Sequence, residues 1–214
     1  MTASSRIPMS DYLREIKYAV EHIMPTLWHE RSELRDLEEQ AEAAAARARH
    51  EYAQANFIML NAEDPDDFMM GVGQHWGSYW GPDKDAHYLS QDADQIRARV
   101  ATRAFSTSAL AGALLQYAKQ GMSAVYGKPG NWPEVRKVGD VALPVIIRHG
   151  RNQAMHWEEG NPNTDVVECF EKLARVDPVF SKYRERSLAM EVVELLGWKK
   201  YADFERDLLG AGEE

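Results

Sequence analysis

The chain has 214 residues, of which 44% are hydrophobic and 28% are charged, a balance typical of globular and not of disordered proteins. The formal net charge of −9 argues against a protein that coats nucleic acid non-specifically. The single cysteine, Cys169, excludes an internal disulfide and a cysteine-rich zinc site. We expect it to be a small buried apolar residue.

The sequence contains no pattern of a secretory or membrane protein. No apolar segment follows the N-terminal residues 1–6, and no run approaches the roughly 18 apolar residues of a membrane-spanning helix. We therefore expect a cytoplasmic protein without a membrane partner.

The N-terminal part is predicted to form two helices. Ser10 can cap a first helix that runs to about Met24, and Pro25 ends it so that Thr26 caps the next. Residues 27–61 contain neither proline nor glycine. Apolar and small residues recur there three or four apart: Leu37, Ala41, Ala45, Ala48, Tyr52, Ala55 and Met59. The alanines allow a partner helix to approach closely, which predicts an arm of a bundle or hairpin.

Residues 62–90 are predicted to be irregular because glycine, proline and acidic residues interrupt them. The same segment carries five aromatic residues, namely Phe68, Trp76, Tyr79, Trp80 and Tyr88. Long connections rich in aromatic residues usually pack as a lid or an interface. Stacking of RNA bases on these rings is the alternative.

The rest of the chain is also predicted to be helical. The expected helices cover residues 92–126, 140–157, 165–176, 178–196 and 201–209, with a loop at 127–133. No segment alternates with period two for long enough to predict a strand, and no repeat or linker divides the chain. The prediction is one all-α domain over residues 1–214, a helical bundle with a long N-terminal hairpin at about 10–61.

Positive charge is concentrated in one part of this acidic chain. Six cations and two carboxylates lie between Gly112 and Trp157: Lys119, Lys128, Arg136, Lys137, Arg148 and Arg151, with Glu134 and Asp140. Such a basic island can hold a small anion or a short stretch of RNA, or it can be a solvated face with an accidental bias.

The segment from Val141 to Trp157 combines an apolar start with a polar end. Seven residues that are apolar, 141–147, precede a cluster of cations, imidazoles and amides. At about 100° per residue, His149, Asn152 and His156 share one helix face, while Arg148, Arg151 and Met155 share the next. Charges so close to a core boundary need partners, which predicts a functional cleft or a subunit interface.

Residues Arg151 to His156, Arg-Asn-Gln-Ala-Met-His, resemble the motif of the HEPN superfamily: an arginine, a polar residue, a spacer and a histidine. This superfamily consists of all-helical proteins and includes many RNA-cleaving toxins and defence nucleases. The resemblance implies an HEPN-like core at about 92–210 and a metal-independent endoribonuclease, with RNA as the substrate and no cofactor. It also implies a homodimer, and an antitoxin or regulatory protein as a further partner.

The residue types suit this chemistry. RNA is cleaved when its 2′-hydroxyl attacks the adjacent phosphorus, which leaves a 2′,3′-cyclic phosphate. Histidine transfers protons near neutral pH, and arginine stabilises a phosphorane as a permanent cation. His156 is therefore the expected acid or base and Arg151 the expected clamp, with Asn152, Arg148 and His149 as supporting residues.

The spacing of Arg151 and His156 predicts a site shared by two copies. Five residues correspond to about 7.5 Å along a helix and about 140° around it, so one helix cannot readily bring both side chains to one phosphate. Two copies that cross at a twofold axis near Gly150 could do so. HEPN proteins typically build a composite site at a dimer interface, in agreement with this expectation.

One position departs from the family, and two other functions stay open. Some HEPN proteins carry a tyrosine two residues after the histidine, where this chain has Glu158. A catalytically silent HEPN-like dimeric module for binding or regulation is the main alternative. A metal enzyme of the helical-bundle class is the other, based on His22, His29 and Glu33, although the inward-facing Glu/His sets of a di-iron bundle are missing.

Overall fold

The computed structural model describes residues 7–60 and 82–210. The helices are α1 (Met9–Leu60), α2 (Pro82–Tyr126), α3 (Leu143–His156), α4 (Thr164–Leu173), α5 (Ala189–Leu196) and α6 (Tyr201–Leu209). Short 3-10 turns cover Pro129–Asn131, Trp157–Glu159 and Pro178–Lys182. The predicted all-α class is confirmed for the described residues, and the predicted helix at 201–209 is found at those residues.

Two strands of two residues each are the exception to the helical fold. Strands β1 (Lys137–Val138) and β2 (Val141–Ala142) pair as an antiparallel hairpin around Gly139, whose φ of 57° suits a residue without Cβ. Residues 141–142 belong to β2, so α3 begins at Leu143 and not at Asp140 as predicted.

Contacts within the chain gather it into two compact units. One contains residues 1–30 and 105–214, and the other contains residues 31–104. In the second unit, Arg103 of α2 forms an ion pair with Glu33 of α1 at 3.4 Å. No helix in the described part of the chain has the length and apolar character needed to cross a bilayer.

The first unit contains the hydrophobic core around α3. Ile146 and Ile147 are fully buried there, together with the large rings Trp198, Phe170, Phe180 and Phe204. Each such aliphatic side chain contributes about 1.5–3 kcal/mol when it leaves water. The apolar first turns of α3 are therefore fixed in the core, and the polar end of the helix is held at its edge.

Pro25 does not end the first helix, so the predicted break between Met24 and Thr26 is wrong. Helix α1 continues through Pro25 to Leu60, and Thr26 donates its hydroxyl to the carbonyl of His22 at 3.0 Å instead of capping a new helix. A proline inside a helix costs about 3 kcal/mol. Burial of Met24 and Leu27, each at most 1% exposed, offsets this cost because each contributes about 1.5–3 kcal/mol.

The boundary of α2 also differs from the prediction. The helix begins at Pro82, so residues 82–90 are helical although they were expected to be irregular. Of the aromatic residues singled out at 62–90, Phe68, Trp76, Tyr79 and Trp80 and the side chain of Tyr88 lie outside the described residues. The side chains of Ala48, Tyr52, Ala55 and Met59 on the predicted α1 stripe lie outside them too.

The predicted helix at 178–196 is divided in two by a loop at 183–188. The buried amide of Gln153 holds this loop. Its nitrogen donates to the carbonyls of Tyr183 at 2.8 Å and Arg186 at 2.7 Å, and its oxygen accepts from the N–H of Leu188 at 2.9 Å. Backbone groups that would otherwise bond within one helix are satisfied by α3.

An ion pair between half-buried Arg136 and buried Asp207 joins the hairpin to the C-terminal helices. Arg136 donates to both oxygens of Asp207, at 2.8 and 2.6 Å, and to the carbonyl of Leu196 at 2.8 Å. Trp198 donates its indole N–H to the same carboxylate at 2.8 Å. The carboxylate raises the pKa of Arg136, and the fully hydrogen-bonded pair fixes the strand before α3.

Candidate functional site

Helix α3 packs against α4, and a cleft lies at each end of this contact. The first, the His156 cleft, is lined by Asn152, Gln153, His156, Trp157, Glu159, Asn161, Pro162, Asn163, Val166, Tyr183 and Arg184. The second, the His149 cleft, is lined by Glu134, Lys137, Asp140, Val141, Ala142, Val145, His149, Asp165, Glu168, Cys169 and Lys172. The helix face predicted to carry His149, Asn152 and His156 thus serves two separate clefts.

The His156 cleft has a volume of about 340 Å³, within the range of sites for small ligands. Its walls are mainly polar amides and rings. Asn163 caps α4 by accepting the N–H of Val166 at 3.0 Å, and this bond fixes the loop that precedes the helix. Asn152 and His156 enter from α3, as the sequence predicts for two residues four apart.

His156 is exposed and paired with a carboxylate. Helix α3 ends at this residue, and the following 3-10 turn returns Glu159 so that Oε1 lies 2.7 Å from Nδ1. Gly160, with φ of 68°, ends the turn. An ionised carboxylate only accepts, so the proton of the bond lies on Nδ1 and Nε2 is left for other partners. A proton carrier at a cleft mouth is the arrangement that general acid–base chemistry requires.

Arg151 does not line the His156 cleft. Its Nε donates to Oε1 of Gln116 in α2 at 2.6 Å, and a terminal nitrogen donates to Oδ1 of Asn152 at 3.3 Å. Within one chain, therefore, Arg151 reaches the site only through Asn152. This agrees with the separation around the helix expected from the sequence.

His149 lies in the other cleft and does not support His156. It is only 5% exposed, and its Nδ1 has no hydrogen-bond partner among the described residues. Burial, reinforced by Arg148, lowers the pKa of His149, against the smaller opposing effect of Asp165 and Glu168. The ring is thus held neutral. Arg148 is half-buried one residue before it and lines neither cleft.

Gly150 serves a contact within the chain. A Cβ at this position would lie 3.1 Å from Cγ1 of Val192 in α5. The missing side chain therefore allows α3 and α5 to pack closely, and this corrects the expectation that Gly150 admits a second copy at a twofold axis.

Part of the basic island is used for structure. Arg136 is bound by buried Asp207, Lys137 lies 3.4 Å from Glu134, and Arg151 is bound to Gln116. The two ion pairs balance the charges of Arg136 and Lys137, whereas the neutral amide of Gln116 occupies a donor of Arg151 without changing its charge. Part of the island therefore consists of separate structural contacts.

The surroundings of His22 and Cys169 bear on whether this protein could bind a metal ion or use a reactive thiol. Across residues 7–60 and 82–210, no three His, Cys, Asp or Glu side chains are arranged to hold a metal ion. His22 uses Nδ1 on the carbonyl of Tyr18 at 2.7 Å. Cys169 is buried as expected, and burial raises its pKa to about 12, so the thiol is a packing residue.

Several residues of the site were not found from the sequence. Gln116, Tyr183 and Arg184 come from other elements, and no local pattern places them beside α3. The spacing of three residues between His156 and Glu159 is the sequence signal that indicates their contact. No family model matches the chain, and neither the curated proteins nor the solved structures contain a match to it.

Proposed function

We propose that the protein is a cytoplasmic, metal-independent endoribonuclease of HEPN type, with an HEPN-like core and a site shared by two copies. One observation carries the proposal. His156, the histidine of the HEPN-like motif, stands exposed at the mouth of a cleft with Nδ1 bound by a carboxylate. The remaining nitrogen, Nε2, is the one that we propose acts on a phosphodiester bound in this cleft.

The proposed step is a transfer of phosphorus from one ribose oxygen to another. Nε2 of His156 accepts the proton of the 2′-hydroxyl, and a bond from the 2′-oxygen to phosphorus forms as the bond to the 5′-oxygen breaks. The departing 5′-oxygen takes a proton from solvent, and a 2′,3′-cyclic phosphate remains. A guanidinium stabilises the additional negative charge of the transition state.

Arg151 of a second copy is the proposed source of that guanidinium. In its own chain this side chain is bonded to Gln116 and Asn152 and does not line the cleft of His156. In a composite site, Arg151 of each copy would enter the His156 cleft of the other copy, so the separation within one chain would not matter.

The nuclease proposal is tested with purified protein and assorted RNAs in excess EDTA. We expect cleavage that survives the chelator, products that end in 2′,3′-cyclic phosphate, and resistance of substrates with 2′-deoxyribose at the cut. Cleavage that EDTA abolishes and magnesium restores would contradict it.

The composite site is tested by mixing two inactive variants. In a heterodimer of Arg151→Ala and His156→Ala, one site contains both residues and the other contains neither. Doubly tagged, purified heterodimers should recover about half of the wild-type rate. Failure to recover activity in a verified heterodimer would show that the two residues do not act across subunits.

A catalytically silent dimeric module for binding or regulation is the second candidate. Two observations favour it: Arg151 already has two partners, and Glu158 and Glu159 bring two carboxylates next to His156. Wild type and His156→Ala would then be equally inert on every RNA, and an antitoxin or other regulatory protein would be the partner to seek.

A further inference from the structure

Arg184 is the guanidinium that shares a cleft with His156 in the same chain. It enters from the loop at 183–188, opposite the end of α3, and lines the cleft that Arg151 does not reach. This position is independent of any second copy.

The backbone that carries Arg184 is rigid. Tyr183 is buried and stacks 5.6 Å from Phe170, ring centre to ring centre, and its carbonyl is held by the buried amide of Gln153. The attachment point of Arg184 is therefore fixed by the core, and little conformational entropy is lost there when a ligand binds.

The side chain of Arg184 is oriented but not fully used. Its Nε donates to the hydroxyl of Tyr183 at 3.1 Å, and its guanidinium lies 5.4 Å from the centre of the same ring. Within the described part of the chain, its two terminal nitrogens have no acceptor. These two donors form a planar fork that matches two oxygens of one phosphate.

The aromatic side chain of Trp157 lies in the same cleft as the guanidinium of Arg184. Trp157 remains 38% exposed. Indole faces stack unpaired bases, whereas bases in a duplex are already stacked on each other. The nearby Glu159 is bonded to His156, so it does not neutralise Arg184 through an ion pair.

We propose that Arg184 binds a phosphate of single-stranded RNA beside His156 while Trp157 stacks an adjacent unpaired base. This inference rests on the proposed function and names its substrate as single-stranded RNA. It assigns Arg184 to substrate binding and leaves the clamp on the transferred phosphorus to Arg151.

Fluorescence anisotropy with a short, labelled 2′-O-methyl RNA strand tests the inference without cleavage, since the methyl group blocks the attacking oxygen. Arg184→Ala should weaken binding about 10-fold, as expected for loss of a charged hydrogen bond. It should also reduce the slope of log K against log salt by about 0.7, the value for one phosphate contact to a single strand. Trp157→Ala should weaken binding about 10-fold through lost stacking and leave the salt slope unchanged.

Arg175→Ala is the matched control because Arg175 is exposed and lies outside both clefts. It should bind within about twofold of wild type, and thermal melts should show that all variants are folded. Binding by Arg184→Ala equal to this control would overturn the inference even if wild type cleaves RNA. If wild type binds and never cleaves while Arg184→Ala binds weakly, the inference stands and the nuclease proposal falls. No binding by wild type overturns the inference, and the cleavage assay in EDTA then decides the nuclease proposal separately.

Discussion

The two histidines of α3 lie on one helix face, about 20° apart around the axis and about 10 Å along it, yet their surroundings are opposite. His149 is buried, lacks a described partner for Nδ1 and is held neutral by its lowered pKa. His156 is exposed and has a carboxylate on Nδ1.

The difference arises from where each histidine meets α4. His149 lies beside the middle of α4, where Cys169 is buried. His156 lies beyond the start of α4, where the loop at 161–163 leaves space. The position of each histidine along the axis of α3, and not the helix face it shares, thus determines which imidazole can exchange protons with a ligand.

The largest expected effect separates the two clefts by activity. His156→Ala should reduce RNA cleavage about 10²–10⁴-fold because it removes proton transfer. His149→Gln should change the rate less than about threefold, since a hydrogen-bonding contribution at the separate cleft does not enter the reaction. Initial rates on one RNA at equal concentrations of folded protein measure both. Comparable losses in the two variants would remove the distinction between the clefts.

A smaller effect concerns the orientation of His156 by Glu159. Glu159→Gln should lower kcat about 2- to 5-fold, because the pair is exposed and such pairs contribute little in water. Glu158→Gln is the control, with the same loss of charge one residue away. It should keep kcat and lower KM slightly as negative charge near RNA is removed. Equal effects of the two substitutions would assign the role to charge and not to the hydrogen bond.

Gly150 lies in the part of α3 between the two clefts, where the helix packs closely against Val192 of α5. Gly150→Ala should lower the free energy of unfolding by about 1–2 kcal/mol, because overpacking against Val192 costs about 1–3 kcal/mol and helix propensity returns up to about 1 kcal/mol. Denaturant melts measure this.

Val192→Ala provides the matched second change for Gly150→Ala. The double variant should be more stable than the sum of the single effects by about 0.5–3 kcal/mol, since the new methyl group then has space. Sedimentation should show an unchanged oligomeric state. Loss of a dimer in Gly150→Ala with an unchanged melt would restore the glycine to a subunit interface.

The sequence predicts much of the fold because helices depend on local periodicity. Helix α6 and the end of α2 at Tyr126 follow directly from it. Pro25 and the loop at 183–188 were missed because distant contacts decide them: burial of Met24 and Leu27 in one case and the amide of Gln153 in the other.

The candidate site follows the same division. The position of His156 and Asn152 on one face is local, and the structure brings both to one cleft. His149 lies in a second cleft because of its contacts with α4, and Arg151 is turned away from the His156 cleft by its hydrogen bond to Gln116 in α2. Neither contact is local in the sequence. Gln153 holds the loop that carries Arg184, through contacts between residues about thirty positions apart.

The smallest expected effect is the pH dependence of stability that burial of His149 causes. Its folded pKa lies below the usual value near 6.5, so between these two values the unfolded chain binds a proton that the folded chain does not. Stability from this group is therefore complete above about pH 6.5 and is lost as pH falls through the window below it. The lowered carboxylate pKa values of Glu168 and Asp203 act at more acidic pH.

Thermal melts from about pH 7.5 to 5.5 should show a smaller fall in Tm for His149→Gln than for wild type. His29→Gln, which removes an exposed imidazole, is the control for the loss of a histidine as such. Parallel curves for wild type and His149→Gln would mean that the buried imidazole accepts a proton in the folded protein, and the two clefts would then not differ in the way their geometry indicates.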